Sequence, residues 1–312
     1  MYDVRRLVLI RDLAEHGTVT AVSELHGIST SAVSQQLRAL EQEVGSVLVR
    51  KVGRSLRLTP TGEVLVEHAR RVLVTLDEAE SAVAATRGAA GGDVRVVGFQ
   101  SAIAALAGPL FTQLRQDHPE LRIRLVDGIR EPALRAVQLR EADLAITYHY
   151  SFGNRELPSG IGSEFLFPDP LVLLTPVHLH PAVAAEGTAA LADEDWIAVP
   201  DGGPSIESLS YLCRRAGFHP RIRHRISNFF AMARLVEAGA GVTILPSLTV
   251  TPELEHLVAW TFAEDTRMIE VAYRTGTTAH PSVAATIRAL HRVARARRQA
   301  PAGFRGPIGR TA

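Results

Sequence analysis

Apolar residues recur at helical spacing along the first ninety positions, interrupted by short turns that contain glycine. Leu7, Ile10 and Ala14, with Leu9 and Leu13 beside them, predict a first helix over Val4–His16 with a face broad enough for a small core. Gly17 suits its end, because a left-handed residue there satisfies orphan carbonyls and glycine adopts that conformation at little cost. Thr18-Val19-Thr20-Ala21 starts a second helix with a threonine N-cap. After the turn His26-Gly27-Ile28, Ser29 caps a third. In that helix Val33, Leu37 and Leu40 share one stripe, while Thr30, Ser31, Ser34, Gln35 and Arg38 share the opposite face. Small hydroxyls, a carboxamide and one guanidinium can enter a DNA major groove and reach base edges without steric block. An ordinary amphipathic surface helix shows the same two faces, so the flanking residues decide.

Two short strand-like runs follow, Val47–Lys51 and Leu56–Leu58, around Val52-Gly53-Arg54-Ser55. Arg50, Lys51, Arg54 and Arg57 lie here with no acidic residue among them. A two-stranded wing bearing such cations beside a polar-faced helix suits phosphate contact, although a solvated basic hairpin would look alike. Residues 1–70 are nearly neutral as a whole, so local clustering carries the argument.

Taken together these residues resemble the LysR-type transcriptional regulators. The resemblance rests on Gly17-Thr18-Val19-Thr20-Ala21, on Ser29-x-x-Ala32-Val33-Ser34-Gln35-Gln36-Leu37, on Leu40-Glu41, Gly45, Leu48 and Arg50, and on Leu58-Thr59-Pro60-Thr61-Gly62. Three places depart from the family's habit: Val22-Ser23 stands for a common Ala-Ala, His26 for an apolar residue, and Val49 for a common Phe.

A longer helix begins with Thr59 as N-cap, Pro60 in its first turn and Glu63 close to the positive helix end. Leu65, Ala69, Val72, Leu76, Ala79 and Val83 follow at alternating spacings of four and three, the seam of a coiled coil. A helix over Gly62–Thr86 would be roughly 37 Å long at 1.5 Å per residue. A helix lying on its own domain would favour a wider stripe, so Leu65, Val72, Leu76, Ala79 and Val83 are expected to pair two subunits. The resemblance implies the same linker helix, often within a dimer of dimers. Gly88-Ala89-Ala90-Gly91-Gly92 then forms a hinge.

Beyond the hinge, strand-like and helix-like runs alternate. Val94–Phe99, Leu121–Val126 and Leu144–Thr147 enclose helices near Ile103–Asp117 and Pro132–Arg140, a βαβαβ pattern that predicts a parallel sheet. A second set holds strands at Leu171–Thr175, Trp196–Val199, Ile222–Ile226 and Val242–Leu245, with helices at Ser205–Ala216 and near Phe230–Ala238. The chain closes with Ile269–Tyr273 and a helix over Ser282–Arg298. The LysR resemblance extends here through Leu235–Pro246, His180-Pro181 and Ala142–Ile146, and implies two α/β subdomains of the periplasmic-binding-protein type.

The expected fold is therefore an N-terminal all-α winged helix-turn-helix over 1–61, a linker and hinge over 62–90, and a C-terminal α/β effector domain over 91–300. Its subdomains are placed at 91–162 plus 267–300 and at 163–266, with 301–312 as a disordered tail. Open α/β sheets bind ligands beyond the carboxyl ends of their strands. That rule selects Gln100 and Ser101, Ile129, Thr147 and Tyr148 on one side, and Gly202, Ser205, Asn228 and Phe229 on the other. Gln100 and Ser101 begin a helix, which favours an anion, whereas Asp127 and Asp201 near the mouth favour a cation or amine. The sequence leaves both open.

Enzyme signatures are weak. Cys213 lies on an apolar stripe with Ile206, Leu209 and Leu212, as a buried structural thiol would, and His178-x-His180 reads as a surface turn. No nucleophile elbow, phosphate loop, HExxH or paired CxxC occurs. No cofactor or metal is expected, only a small-molecule effector. With one cysteine, no basic-then-apolar leader and no long apolar run, the expectation is a cytoplasmic protein free of membrane.

The expected function is a LysR-type, sequence-specific transcriptional regulator whose effector domain modulates promoter binding. Its expected partners are double-stranded DNA at an interrupted near-palindrome, a small molecule, a second copy of itself and RNA polymerase. Gln35 is assigned to adenine, Thr30, Ser31 and Ser34 to base edges or phosphates, Arg38 to phosphate or guanine, and Arg50, Lys51, Arg54 and Arg57 to the flanking backbone. The alternatives are an architectural DNA-binding protein with a ligand-free C-terminal domain, and an enzyme or solute receptor built on the α/β part.

Overall fold

A computed structural model describes residues 1–52, 55–153, 155–200, 204–299 and 308–309. The N-terminal unit begins with α1 (Val4–His16), α2 (Val19–His26) and α3 (Thr30–Val44). Each helix starts where its side-chain cap permits. Asp3 accepts from the Arg5 amide, Thr18 from that of Ala21 and Ser29 from that of Ala32. Leu7, Ile10, Leu13, Val22, Val33, Leu37 and Leu40 meet in one buried core, the apolar stripes of all three helices turned inward.

The wing is β1 (Val49–Val52) paired antiparallel with β2 (Ser55–Leu58). Thr59 then caps α4 (Pro60–Ala85) by accepting from the Gly62 amide. Gly62 lies against the chain entering the wing: a Cβ there would stand 2.2 Å from the Leu48 carbonyl oxygen. The close approach of helix and wing requires glycine at this point. Val66 and Ala69 pack into the same core, so the start of α4 belongs structurally to the winged unit.

The C-terminal sheet runs β4-β3-β5-β10-β6-β9 in strand order. Here β3 (Gly92–Gly98) lies parallel to both β4 (Leu121–Asp127) and β5 (Leu144–Tyr150). The remaining partners are antiparallel: β6 (Ile161–Leu174), β9 (Thr243–Pro246) and β10 (Val258–Arg274). Helices α5 (Gln100–Asp117) and α10 (Pro281–Gln299) cover one face of the first half, and α6 (Arg130–Gln138) the other. The second half adds α7 (His180–Glu186), β7 (Asp195–Ala198), α8 (Pro204–Arg215), β8 (Arg221–Arg225) and α9 (Phe229–Glu237), with β7 and β8 parallel. Met232, Val236, Ile197 and Leu245 form its own core with Val172 and Leu174 of β6.

β6 and β10 are far longer than the short runs their apolar ends predict. They pair from Ile161↔Arg274 to Leu174↔Val258, so the expected divisions at 162/163 and 266/267 fall within continuous strands. Their polar and proline-containing middles, Phe167-Pro168-Asp169-Pro170 and Glu264-Asp265-Thr266-Arg267, hide the strand pattern. In the tail expected to be disordered, Ile308 and Gly309 pair in parallel with Thr261 and Phe262, as β11, on the edge of β10 that β5 leaves uncovered. Residues 300–307 and 310–312 lie outside the described residues. Among the described residues no helix is long and apolar enough to cross a membrane.

The contact at Gly62 makes a prediction. Gly62→Ala forces α4 and the wing apart and should destabilise the winged unit by about 1–3 kcal/mol, as overpacking does. Thermal unfolding would read this as a lowered first transition, together with weakened DNA binding; an unchanged melt would mean the Leu48 carbonyl moves aside freely.

Candidate DNA-binding and ligand-binding sites

The exposed side of α3 carries Thr30, Ser31, Gln35 and Arg38, with Ser34 half-buried at its edge. The Ser31 hydroxyl lies 2.9 Å from that of Ser29, which orients it at the first turn. The helix is fixed from behind. Arg6 donates from Nε to Gln36 Oε1 at 2.9 Å and forms an ion pair with Glu43. Glu41 Oε1 accepts from the Leu48 and Val49 amides at 2.9 and 3.2 Å, joining the helix to the root of the wing.

On the wing, Arg50 stands directly across from Arg57, and Lys51 across from Leu56. A like-charged pair facing across a hairpin is unfavourable without a counter-anion. Arg38, Arg50, Lys51 and Arg57 are exposed and have no ion-pair partner among the described residues. The expected Arg54 and Gly53 lie outside the described residues.

α4 presents two faces. Val66, Ala69, Leu73, Asp77 and Ser81 turn toward their own chain. Val72, Leu76, Ala79 and Val83 of the expected seam are exposed on the other side. Leu65 departs from that expectation: it is half-buried against the winged core, because the first turns of α4 are held there by Gly62 and Val66.

A cleft of about 430 Å³ opens between the two α/β halves. Gln100, Ser101, Ile129, Tyr148, Ser205, Asn228 and Phe229 all line it, as the strand-end rule predicts. Thr147 does not. Side chains alternate along β5, so Thr147 shares the face on which Ala145 packs against α6, and its buried hydroxyl has no partner there. Gly202 lies outside the described residues. Asp127, expected near the mouth, lines it too, as do Pro200 and Ser227 of the same strand-end loops, whereas Phe99, Glu131, Val199 and Arg267 are wall residues that strand-end reasoning missed.

Arg267 is the most consequential of these. It is 1 % exposed and sits directly across the β6–β10 pair from Asp169. Its Nε and Nη2 donate to Asp169 Oδ2 at 3.0 and 2.5 Å, and Nη2 also to Ser101 Oγ at 3.0 Å. The other carboxylate oxygen accepts from Ser247 Oγ at 2.7 Å and from the Leu248 amide at 2.9 Å. The guanidinium lies over the rings of Phe99 and Tyr148 at 4.8 and 5.0 Å. Burial pushes the Tyr148 phenol above its ordinary pKa. Its sequence signal is faint, because the polar run Glu264-Asp265-Thr266 precedes it and the apolar strand pattern starts only at Met268 and Ile269.

An aromatic ladder runs from Tyr148 to Tyr150, Phe152 and Tyr211, with centroid separations of 5.7, 5.3 and 4.3 Å. Tyr211 belongs to α8, so the ladder bridges the two halves beside the cleft.

The winged unit also touches the α/β domain. Asp12 of α1 is fully buried and its carboxylate meets Arg11 Nε and His26 Nε2, both at 2.7 Å, and Gln138 Nε2 of α6 at 3.3 Å. Arg135 of α6 donates to the carbonyls of Glu24 and Leu25 at the end of α2. His26, the departure from the family pattern, is thus a member of a polar junction. Farther along, Asp77 of α4 pairs with Arg274 at 3.3 Å and Arg140 at 2.9 Å.

Cys213 is buried, and burial pushes its thiol up to about 12, which suits a structural residue and not a nucleophile. No group of His, Cys, Asp and Glu side chains among the described residues is placed to hold a metal ion.

Residues 4–63 match the family described as bacterial regulatory helix-turn-helix protein, lysR family, and residues 87–295 match the LysR substrate binding domain. Among curated relatives, the transcriptional dual regulator GltC of Bacillus subtilis is 27 % identical over 251 residues, covering 79 % of this chain and 81 % of that protein. The regulator CbbR of Xanthobacter flavus is 28 % identical over 258 residues, covering 81 % and 75 %. Among solved structures, a full-length OxyR variant from Pseudomonas aeruginosa superposes with a TM-score of 0.56 at 20 % identity, covering 95 % of each chain. Full-length CbnR in complex with its target DNA does so with a TM-score of 0.51 at 22 % identity, covering 94 % of this chain and all of that one. At these identities the structural likeness concerns the fold.

The buried pair predicts a stability phenotype. Arg267→Met leaves the Asp169 carboxylate uncompensated and should cost about 3–5 kcal/mol, while replacing both partners with apolar residues recovers much of the loss. Denaturant unfolding of the two variants tests this; equal stability of Arg267→Met and the parent would remove the pair from its structural role.

Proposed function

This chain belongs to the LysR family of transcriptional regulators, and we propose that it binds promoter DNA in a sequence-specific manner under the control of a small molecule held in its interdomain cleft. In this reading residues 1–61 bind DNA, 62–90 pair subunits and 91–300 hold the effector. Gln35 reads adenine. Thr30, Ser31, Ser34 and Arg38 contact neighbouring base edges and phosphates, and Arg50, Lys51, Arg54 and Arg57 grip the backbone. The exposed stripe Val72, Leu76, Ala79 and Val83 joins two copies, so an interrupted near-palindrome is the matching site. Promoter DNA as the partner gives the protein a cytoplasmic working place and a position beside RNA polymerase.

The observation that favours effector control over an architectural role is α6. Ile129, its N-cap, and Glu131 in its first turn line the cleft. Arg135 and Gln138 in its last turns hold the end of α2 and Asp12 of α1. One helix, about 13 Å long at 1.5 Å per residue, therefore spans from the ligand wall to the DNA-binding unit. A ligand with different affinity for two positions of α6 changes the seating of the winged unit, and DNA then changes ligand affinity in return.

Two experiments test this function. The first is footprinting on DNA from upstream of the protein's own gene. A discrete, interrupted footprint is expected, and Gln35→Ala should lose about 1–3 kcal/mol of affinity for that site with nonspecific affinity unchanged. Equal loss on both DNAs would remove Gln35 from base reading, and binding without any preferred site would favour the architectural role.

The second is a double-mutant cycle through α6. Ile129→Trp crowds the cleft and should alter affinity for the footprinted site about fivefold or more. Combined with Arg135→Ala and Gln138→Ala, the same substitution should have little effect. The same change in both backgrounds would show that α6 carries no coupling.

A further inference from the structure

The charge on the cleft wall is distributed in a way that selects among ligands. Among the described residues, Arg267 is the one cation on that wall. Its charge is met from one side: Asp169 takes Nε and Nη2, Ser101 takes Nη2, and both partners are buried, which leaves only Nη1 without a hydrogen bond among the described residues. An anion placed against it would share the guanidinium with a buried carboxylate and lie beside that carboxylate's charge, an unfavourable arrangement in a poorly solvated site. The hydroxyl of Ser101, at the start of α5, already accepts from Arg267, which weakens that helix end as a seat for an anion.

The other charged wall residues have the opposite sign. Asp127 ends β4 and Glu131 opens α6, both exposed to the cleft, and neither has an ion-pair partner among the described residues. Two carboxylates at the mouth of a low-dielectric cleft focus a negative potential into it. The rest of the wall mixes apolar and aromatic side chains with uncharged polar ones, Gln100, Ser101, Ser205, Ser227 and Asn228. Phe99 and Tyr148 already have Arg267 over their rings, whereas Phe229, from the facing half, offers a ring that no protein cation covers among the described residues. A ring face of that kind attracts an ammonium group.

We propose that the cleft takes an organic cation, an amine on an aromatic or apolar body, with its ammonium group between Asp127 and Glu131 and its body against Ile129, Val199 and Phe229. The choice between anion and cation, which the sequence leaves open, is made by Asp169, because it neutralises the cleft's cation from beneath. This proposal rests on the cleft being the effector site.

The test is a thermal-shift and calorimetric comparison on the full-length protein. The probes are amines, carboxylates and neutral alcohols built on matched phenyl, indole and branched alkyl bodies, phenethylamine, phenylacetate and 2-phenylethanol being one such set. Amines should stabilise the protein and bind at least tenfold more tightly than the matched carboxylates. Asp127→Asn combined with Glu131→Gln should abolish that preference while leaving the unliganded melting temperature within about two degrees. Tighter binding of carboxylates, or equal binding of the three classes, would overturn the cationic assignment and leave the cleft as the effector site. Retention of the amine preference in the double variant would move the recognition away from these carboxylates and overturn the proposal. Absence of stabilisation by every class would overturn the cleft as an effector site, and the proposal with it.

Discussion

The α/β domain depends on how two long strands cross between its halves without losing their register. Backbone hydrogen bonds cannot do this alone. Pro168 and Pro170 contribute no amide hydrogens to the β6–β10 ladder, and the register shifts between Phe262 and Thr266. At this weak point Asp169 and Arg267 stand across from each other and replace ladder bonds with charge-assisted ones. Ser247, Leu248 and Ser101 attach to the same pair. Strands from both halves, the start of α5 and the segment after β9 are thereby tied to one buried contact. The cleft floor is thereby fixed by side-chain contacts where backbone pairing is interrupted.

A second buried carboxylate organises the junction with the winged unit. Asp12 has no access to water, so its charge must be met by protein donors, and Arg11, His26 and Gln138 meet it. Two of those donors belong to the winged unit and the third to α6. Separation of the units would therefore strip the carboxylate of one partner. The histidine that departs from the family pattern is explained by this requirement, since an apolar residue at position 26 could not donate to Asp12. The junction is polar and small compared with either core, as expected of a contact that can shift without unfolding the units it joins.

Much of this organisation was legible in the sequence. Caps at Ser29 and Thr59 and the stripe Val33, Leu37 and Leu40 depend on local spacing, and the structure places them accordingly, while of the two candidate threonines Thr18 and Thr20 it is Thr18 that caps α2. Most strand-end residues reach the cleft for the same reason, since topology fixes which loops converge. The failures are of a different kind. Thr147 follows from a parity that strand-end counting ignores. Leu65 satisfies a heptad and also a neighbouring core, and the core is closer. Arg267 and Asp169 lie nearly a hundred residues apart on strands whose middles look like loops, so no local pattern announces their pairing. Long-range electrostatic pairs are the part of a fold that periodicity cannot reveal.

The contrast between the arginines carries the argument to function. Arg38, Arg50 and Arg57 are exposed and have no ion-pair partner among the described residues, and two of them face each other across the wing. Charge so placed suits contact with a polyanion such as DNA. Arg267 is the reverse: buried, paired and covered by aromatic rings, it adds little net charge to the cleft it lines. Among the described residues, charge without an ion-pair partner thus lies with positive sign on α3 and the wing and with negative sign at Asp127 and Glu131. The same guanidinium chemistry attracts phosphate in one place and holds the sheet together in the other, and the partner available within the chain decides which.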